Sequence, residues 1–299
     1  KMTDIEQAVT FLQRGDLVGL PTETVYGLAG DATSTKVIAK IYAAKGRPTF
    51  NPLIIHSYDL QSIAQWVELH DRAQILAEHF WPGPLTLVLR RRHECPIDLL
   101  ASAGLATLAV RIPSHPIARE LLKTFDKPLA APSANLSNRI SPTSKAMVEQ
   151  DFPELFVLEG GTATIGLEST IIGFEPHPVL YRPGGIALED IEKIIGPLAR
   201  SSHQDIQAPG MLKKHYAPHH KLRLKATHKE KGEVLLGFGY THDADLNLSP
   251  SGNLVEAAAN IYQMLHTLDQ RESLGIAVAP IPSQGLGLAI NDRLERAAA

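Results

Sequence analysis

A short segment near residue 50 concentrates side chains that could bind an anion. Lys45 and Arg47 supply two cations, Asn51 an amide and His56 an imidazole, and the apolar run at 53–55 is typical of a buried strand. Prolines within the segment restrict the backbone and keep the arginine and the amide out of helical geometry. Cations on a loop stiffened in this way could form an anion-binding site. A solvated basic loop before a core strand explains the same residues equally well.

Five further segments, rich in proline or glycine, end in polar side chains where a buried strand is expected to stop. Polar groups that flank buried strands are held by a rigid element, so these segments are suited to build one site together with the first. The five segments are residues 21–28, 81–86, 109–113, 131–135 and 166–170.

Taken in order, these segments resemble the YrdC-like family of threonylcarbamoyl-AMP synthases, in the longer form that carries a C-terminal extension. The family pattern Lys-x-Arg followed by Ser-x-Asn occurs here as Lys45-Gly46-Arg47 and Ser133-Ala134-Asn135. The resemblance is dense from residue 5 to residue 218 and weak beyond it. Each motif alone is common, whereas the ordered set is specific.

The resemblance implies an enzyme, a nucleotidyltransferase that makes L-threonylcarbamoyladenylate for the threonylcarbamoyladenosine modification of tRNA. Threonine and bicarbonate would combine to a carbamate, which would attack the α-phosphorus of ATP and release pyrophosphate. The nucleophile then comes from the substrates, so the protein's tasks are positioning and charge stabilisation. This chemistry suits a sequence that has neither a P-loop nor a serine-hydrolase elbow.

The resemblance also implies roles for individual residues. Arg111 would bind the carboxylate of threonine, since a guanidinium pairs with a carboxylate through two hydrogen bonds. The other expected threonine ligands are Thr24, His56, Ser169 and the backbone at Ala131. The expected catalytic tetrad near the carbamate and the α-phosphate is Lys45, Arg47, Ser133 and Asn135. The expected ATP ligands are Arg47, Asn51, Thr107, Ser133, Ser141, Arg182, His215 and Tyr216.

The same resemblance implies cofactors and partners. Mg²⁺ is expected on the triphosphate of ATP rather than in a protein cage, and the histidines near residue 219 lack the cysteines of a structural metal site. The product would pass to the tRNA threonylcarbamoyl-transferase complex, and a weak direct contact with tRNA is compatible with this interpretation. No membrane contact is expected, because no apolar run approaches the length of a span. The single cysteine, Cys95, fits a reducing cytoplasm.

Two other functions remain open from the sequence. An RNA-binding module would use Lys45, Arg47, Arg111 and Arg182 to contact phosphates, but aromatic residues for base stacking are sparse around them. The net charge of −3 also argues against a protein that coats nucleic acid. A carbamoyl-transferring module of a hydrogenase-maturation protein would share the YrdC-like core, but it would also bring zinc-finger and acylphosphatase segments, which the sequence lacks.

The elements that must position these residues alternate between strands and helices, which predicts an α/β fold. Two adjacent strands at 171–174 and 179–182 indicate a mixed sheet, and the length of 299 residues favours two domains. Together with the resemblance, these patterns lead us to expect a YrdC-like mixed twisted sheet with helices over residues 1–196 and a small Rossmann-like domain over 219–299. Residues 197–218 would form an interdomain linker that acts as a lid.

Overall fold

The structure is a computed structural model that describes residues 2–201 and 205–299. Residue 1 of the expected first domain and residues 202–204 of the expected linker lie outside the described residues. The helices are α1 (Asp4–Gln13), α2 (Thr35–Lys45), α3 (Leu60–Trp66), α4 (Asp71–Phe80), α5 (Pro116–Phe125), α6 (Lys145–Asp151), α7 (Leu188–Ile195), α8 (Leu254–Asp269) and α9 (Gly287–Ala298), with a 3-10 helix at Leu99–Ser102. The strands are β1 (Val18–Leu20), β2 (Gly27–Asp31), β3 (Ile54–His56), β4 (Leu85–Arg90), β5 (Thr107–Arg111), β6 (Leu129–Ala130), β7 (Thr170–Gly173), β8 (Val179–Arg182), β9 (Ala199–Arg200), β10 (Leu222–Arg223), β11 (Glu233–Gly237), β12 (Leu246–Asn247) and β13 (Gly275–Val278).

The strands form two separate sheets. The first has the order β1-β2-β6-β3-β5-β4-β7-β8-β9 and mixes parallel pairs such as β3–β5 with antiparallel pairs such as β4–β5 and β7–β8. The second has the order β10-β13-β11-β12, and each of its pairs is parallel, as in a small Rossmann-like unit. The expected mixed α/β architecture with a Rossmann-like C-terminal part is confirmed.

The central strands of the first sheet are buried on both faces, which explains their nearly continuous apolar sequences. On one face, side chains such as Ile55 and Val110 join the core that packs against the helices. On the other face, Ile54 and Ala109 join a hydrophobic cluster that includes Met211, from the segment expected to be the linker. This part of the expected linker therefore packs against the sheet.

Strand β2 is absent from the sequence-based expectation. Its sequence contains Gly27 and Gly30, and glycine weakens the strand signal because it has no side chain to pack. A Cβ atom at Gly30 would come within 2.5 Å of the Val37 side chain of α2. The glycine is required by the close packing of helix on strand, and pairing with β1 and β6 supplies the hydrogen bonds that hold the strand.

Two other segments differ from expectation. The apolar run at 156–158 predicts a strand, but the structure has only an isolated bridge there, between Val157 and Gly19. Residues 199–200, expected to belong to the linker, pair in parallel with β8 as strand β9. Both differences lie at sheet edges, where pairing depends on a neighbouring strand and leaves little trace in the local sequence. Within the described residues, no helix is both long enough and apolar enough to cross a membrane.

Candidate active site

A cavity with about 560 Å³ of empty space opens between the first sheet and the linker. It contains all five expected threonine ligands together with Arg47, Ser133, Arg182, His215 and Tyr216 from the other expected sets. The lining residues are Thr22, Thr24, Val25, Gly27, Arg47, Ile54, His56, Arg111, Ala131, Pro132, Ser133, Glu168, Ser169, Arg182, Pro209, Gly210, His215 and Tyr216. The structure thus brings together residues from seven segments of the chain, namely 22–27, 47–56, 111, 131–133, 168–169, 182 and 209–216.

Other expected site residues do not line this cavity in the described part of the chain. Thr107 lies at the start of β5, four residues before Arg111, and lines a different cavity near Tyr181. Lys45, Asn51, Asn135 and Ser141 are buried behind the lining residues. Lys45, Asn135 and Ser141 hold neighbouring groups through hydrogen bonds, whereas the Asn51 side chain has no hydrogen-bond partner among the described residues.

The end of helix α2 positions Lys45 and Arg47. The helix stops at Gly46, whose φ of 61° is the left-handed conformation that glycine adopts without strain. Lys45 then turns inward, and its Nζ donates to the carbonyl oxygens of Ser133 and Asn135, at 2.5 Å each. Burial and the neighbouring Arg47 charge hold the pKa of the Lys45 ammonium well below its ordinary value. Lys45 therefore fixes the backbone of the loop that presents Ser133.

Arg47 brings a second buried cation to the wall of the cavity. Its Nε donates to the carbonyl of Asn51 at 3.1 Å, and its Nη2 donates to the carbonyl of Pro52 at 2.7 Å. Burial, with the charge of Arg182 nearby, lowers the pKa of Arg47 to about 10. The guanidinium is held by backbone carbonyls rather than by a carboxylate, so its charge is available to an anionic ligand.

Arg111 is held at the end of β5 by a buried acid that the sequence analysis did not single out. Its Nη2 donates to Glu23, its Nη1 donates to the Thr24 hydroxyl at 2.9 Å, and its Nε donates to the carbonyl of Gly83 at 3.2 Å. The other Glu23 oxygen accepts from the backbone amides of Ser114 and His115. Burial alone would raise the pKa of Glu23, but the Arg111 charge and these donors outweigh it and lower the pKa.

His56 ends strand β3 beside Arg111, because the parallel register pairs these two residues. Its Nδ1 lies 3.2 Å from the carbonyl oxygen of Ile54. Burial and the Arg111 charge lower the pKa of His56 to about 3. The imidazole is therefore neutral at physiological pH, and it can exchange hydrogen bonds with a hydroxyl or an amine without adding charge.

Ser169 and Arg182 meet where β7 pairs with β8. The Ser169 hydroxyl lies 2.6 Å from the Thr86 hydroxyl, and Arg182 Nη2 donates to Ser169 Oγ at 3.2 Å. Arg182 also donates to the Ser169 carbonyl through Nε at 3.1 Å and Nη2 at 2.9 Å. Arg182 thus fixes the loop that carries Ser169 while lining the same cavity.

Glu168 is a second buried acid that the sequence analysis missed. Its carboxylate accepts hydrogen bonds from Ser141, from Tyr262 on α8 and from Arg293 on α9. Burial would raise the pKa of Glu168, but the charges of Arg293 and Arg182 and these donors outweigh it and lower the pKa to about 2. Its place within the segment 166–170 was the one sequence signal that Glu168 belongs to the site, and nothing in the neighbouring sequence indicated its partners.

The linker closes one side of the cavity with His215 and Tyr216, whose ring centroids are 3.9 Å apart. Burial and the Arg47 charge lower the pKa of His215 to about 3. Four side chains near this wall keep buried polar atoms without a hydrogen-bond partner among the described residues. They are Asn51, Asn135, His215 and Tyr216. Orphaned buried polar atoms are uncommon in proteins, so their concentration beside two buried arginines indicates a site that receives a polar, anionic ligand.

Comparisons with known proteins match the whole chain. Residues 10–184 match the family model described as Telomere recombination, and residues 186–299 match the model described as Threonylcarbamoyl-AMP synthase, C-terminal domain. A threonylcarbamoyl-AMP synthase from Pyrococcus abyssi is 39% identical over 98% of this chain and 93% of its own length. One from Bacillus subtilis is 36% identical over 98% and 92%. The crystal structure of P. abyssi Sua5 complexed with L-threonine has a TM-score of 0.92 at 35% identity, and the match covers 100% of this chain and 95% of that chain.

Proposed function

The chain belongs to the threonylcarbamoyl-AMP synthase family, and is thus a nucleotidyltransferase-type enzyme; we propose that L-threonine, bicarbonate and ATP react in the cavity described above. The amine of threonine and bicarbonate first form a carbamate with loss of water. A carbamate oxygen then attacks the α-phosphorus of ATP, the bond from that phosphorus to the oxygen bridging to the β-phosphate breaks, and pyrophosphate leaves. The observation that carries this proposal is the convergence of buried Arg47, Arg111 and Arg182 on one cavity. Two anionic substrates can be brought together there out of water.

The threonine part of the cavity is built around Arg111. Glu23 accepts from Nη2 of the guanidinium, whereas Nη1 donates to the Thr24 hydroxyl. The side of the guanidinium at Nη1 is therefore left to pair with the substrate carboxylate. The neutral imidazole of His56 and the hydroxyl of Ser169 offer hydrogen bonds to the substrate's amino and hydroxyl groups, together with the backbone at Ala131. Preformed donors of this kind lower the cost of ordering the substrate.

The phosphate part of the cavity is built around Arg47, Ser133 and Arg182. Charges developing on the α-phosphate and on the leaving pyrophosphate would be stabilised by these donors, which are already fixed in place. Lys45 and Asn135, the remaining members of the tetrad, hold the loop around Ser133 in the form described here. Asn51, Ser141 and Thr107 lie further from the cavity and would contact the nucleotide after it has entered.

We propose that Mg²⁺ enters with the triphosphate, where it would neutralise charge on the leaving group. Glu23 and Glu168, the two buried acids beside the cavity, already accept from arginine, hydroxyl or backbone donors. In residues 2–201 and 205–299, no group of three or more His, Cys, Asp and Glu side chains is arranged to hold a metal. Since Mg²⁺ is commonly bound through substrate phosphates and water, this donor set fits an ion carried by the nucleotide.

The division into a catalytic domain (1–196), a linker that acts as a lid (197–218) and a C-terminal domain (219–299) is part of the same proposal. Pro209, Gly210, His215 and Tyr216 line the cavity from the linker side. Both the carbamate and the mixed anhydride are labile in water, so covering the cavity protects them. The adenylate would then pass to the tRNA threonylcarbamoyl-transferase complex in the cytoplasm, with at most a weak direct contact to tRNA.

An RNA-binding function for this surface is not favoured. The cations that would contact phosphates are nearly inaccessible: Lys45 is 2%, Arg47 8%, Arg111 4% and Arg182 5% exposed. A polynucleotide backbone needs an open basic face, whereas a small anion can enter a cavity.

Omission of single substrates tests the proposal. The chain is incubated with ATP, threonine and bicarbonate, and pyrophosphate is measured after each of the three is left out in turn. We expect release only when all three are present. Release that does not depend on threonine would contradict the proposal.

A further inference from the structure

The carboxylate of Glu168 joins the cavity to the C-terminal part of the chain. Glu168 lines the cavity one residue before Ser169. Helix α8 supplies Tyr262, whose hydroxyl donates to the carboxylate and lies 2.9 Å and 2.8 Å from its two oxygens. Helix α9 supplies Arg293, whose Nε donates to the same carboxylate at 2.8 Å. A buried acid of the candidate active site is therefore held by two side chains from the second unit.

Arg293 also contacts two other segments that border the cavity. Its Nη1 donates to the carbonyl oxygen of Pro183, the residue after Arg182, at 2.8 Å. Its guanidinium carbon lies 5.0 Å from the ring centroid of Tyr216 in the linker, within the range of a cation–π contact. One side chain, 1% exposed, thus touches the loop before β7, the end of β8 and the linker.

Further contacts place the same two helices against these segments. Arg296 of α9 donates through Nη1 to the carbonyl of Leu212, and its own carbonyl accepts from the backbone amide of His215 at 3.2 Å. At Gly166, two residues before Glu168, a Cβ atom would come within 2.6 Å of the carbonyl oxygen of Ala258 on α8. The loop and the linker are therefore both in close contact with the C-terminal helices.

A buried charge pair of this kind contributes little net stability compared with apolar side chains of the same size. Packing alone would be satisfied by a leucine or methionine at position 293. What a paired arginine adds is a fixed direction for each of its hydrogen-bond partners. The hydrogen-bond partners here are the segments that present Ser169 and Arg182 to the cavity, and the cation–π contact adds the segment of Tyr216.

We propose that Arg293 is a positioning residue for the reaction: through Glu168 and Tyr216 it fixes the Ser169 loop and the linker in the geometry that binds the substrates. The proposal rests on the proposed function and gives the C-terminal domain a role in it. Tyr262 supports the same carboxylate from α8. The active site is thus completed by a domain that contributes none of the residues lining the cavity.

The test compares Arg293→Met, Arg293→Lys and Tyr262→Phe with the unaltered full-length chain. Arg223→Met is the matched control, because Arg223 pairs with Glu233 in the C-terminal domain away from the cavity. Steady-state pyrophosphate release gives kcat and KM for threonine and ATP, calorimetry gives both affinities without turnover, and thermal melting reports folding.

Arg293→Met is expected to raise KM for threonine and to weaken its calorimetric affinity by roughly ten-fold or more, as for residues coupled through one network. Arg293→Lys should recover part of this loss because it keeps the charge, and Arg223→Met should keep the kinetics of the unaltered chain. In the double variant Glu168→Gln, Arg293→Met, the loss should be clearly smaller than the sum of the two single losses, because both changes remove the same Glu168–Arg293 contact.

Unchanged KM and affinity in Arg293→Met would overturn the proposal, and so would losses that add fully in the double variant. If Arg293→Met does not fold, Arg293→Lys and Tyr262→Phe serve as the test instead. Unchanged substrate affinity in both of these folded variants would also overturn the proposal. Failure of the unaltered chain to release pyrophosphate would count against the proposed function alone, because the calorimetric comparison of threonine affinity does not depend on turnover.

Discussion

Arg111 and Glu23 form a buried ion pair, with side chains only 4% and 7% exposed, at the point where β5 enters the cavity. Glu23 also accepts from the backbone amides of Ser114 and His115 at the start of helix α5. The orientation of the guanidinium is thereby set before any substrate arrives. Glu23 already neutralises part of the Arg111 charge. A substrate carboxylate would therefore pair with the donors of Arg111 that Glu23 leaves open, without displacing Glu23.

The first prediction concerns this arginine. Arg111→Ala should weaken threonine binding by about 1.5–3 kcal/mol, the range for a hydrogen bond to a charged group, and ATP binding should change much less. The variant should also melt at a lower temperature, because Glu23 is left as a buried charge without its partner. Calorimetric titration with each substrate measures both affinities. Unchanged threonine affinity would remove Arg111 from the binding site.

The second prediction distinguishes the role of Arg47 from that of Lys45 by their effects on turnover and on stability. Arg47→Ala should reduce turnover by roughly 100-fold or more, by analogy with the loss of one preorganised donor. Lys45→Ala should reduce turnover to a similar extent and should also destabilise the fold, because two loop carbonyls lose their shared donor. Turnover and melting temperature are measured for both. Near-normal turnover of either variant would exclude that residue from the reaction.

The third prediction concerns acid stability. His56 and His215 are buried and neutral, and burial lowers the pKa of each to about 3 from an ordinary value of 6.5. Because the unfolded chain binds these protons more tightly, their contribution to stability is complete above pH 6.5 and is lost as pH falls toward 3. The slope approaches about 1.4 kcal/mol per pH unit for each histidine.

Chemical denaturation of the unaltered chain and of His56→Asn between about pH 7 and pH 5 measures this slope. The variant should lose stability less steeply as pH falls, whereas His93→Asn, at an exposed position, should behave like the unaltered chain. Equal slopes for His56→Asn and the unaltered chain would mean that His56 is not held neutral by burial.

The fourth prediction tests the linker as a lid. The double change His215→Ala, Tyr216→Ala should leave the fold intact and remove most of the synthase activity, because two residues that cover the cavity are lost. The matched control is Lys213→Ala, Lys214→Ala, two exposed neighbours in the same segment. Pyrophosphate release and adenylate yield are compared. Equal yields from the two double variants would show that the linker only connects the domains.

The sequence predicts much of the fold because its local signals are strong. Strand β8 occupies the predicted residues, 179–182, since flanking proline and glycine define its ends locally. Strand β2 escapes prediction because its two glycines answer to distant neighbours, which local sequence does not reveal. Gly30 lies against helix α2, and Gly27 lies against Ala131.

The candidate site is predictable to the extent that its residues lie in recognisable segments. The pairing of Glu168 with Arg293 could not be predicted, because the two residues are 125 positions apart. Glu168 precedes β7 of the first sheet, whereas Arg293 lies on helix α9 of the C-terminal part. A buried ion pair needs both partners to be identified at once, and an isolated acid or arginine in the sequence is more often exposed. For the same reason Glu23 has no visible role until Arg111 is placed beside it.

The most direct test of the central claim follows the carbon of bicarbonate. The chain is incubated with ATP, threonine and isotopically labelled bicarbonate, and the nucleotide products are separated rapidly and analysed by mass spectrometry. We expect a labelled adenylate that contains threonine, formed together with pyrophosphate by the unaltered chain and strongly reduced in Arg111→Ala and Arg47→Ala. If ATP is consumed without a labelled threonine adenylate, or if both variants form it at the unaltered rate, this cavity is not where the three substrates are joined.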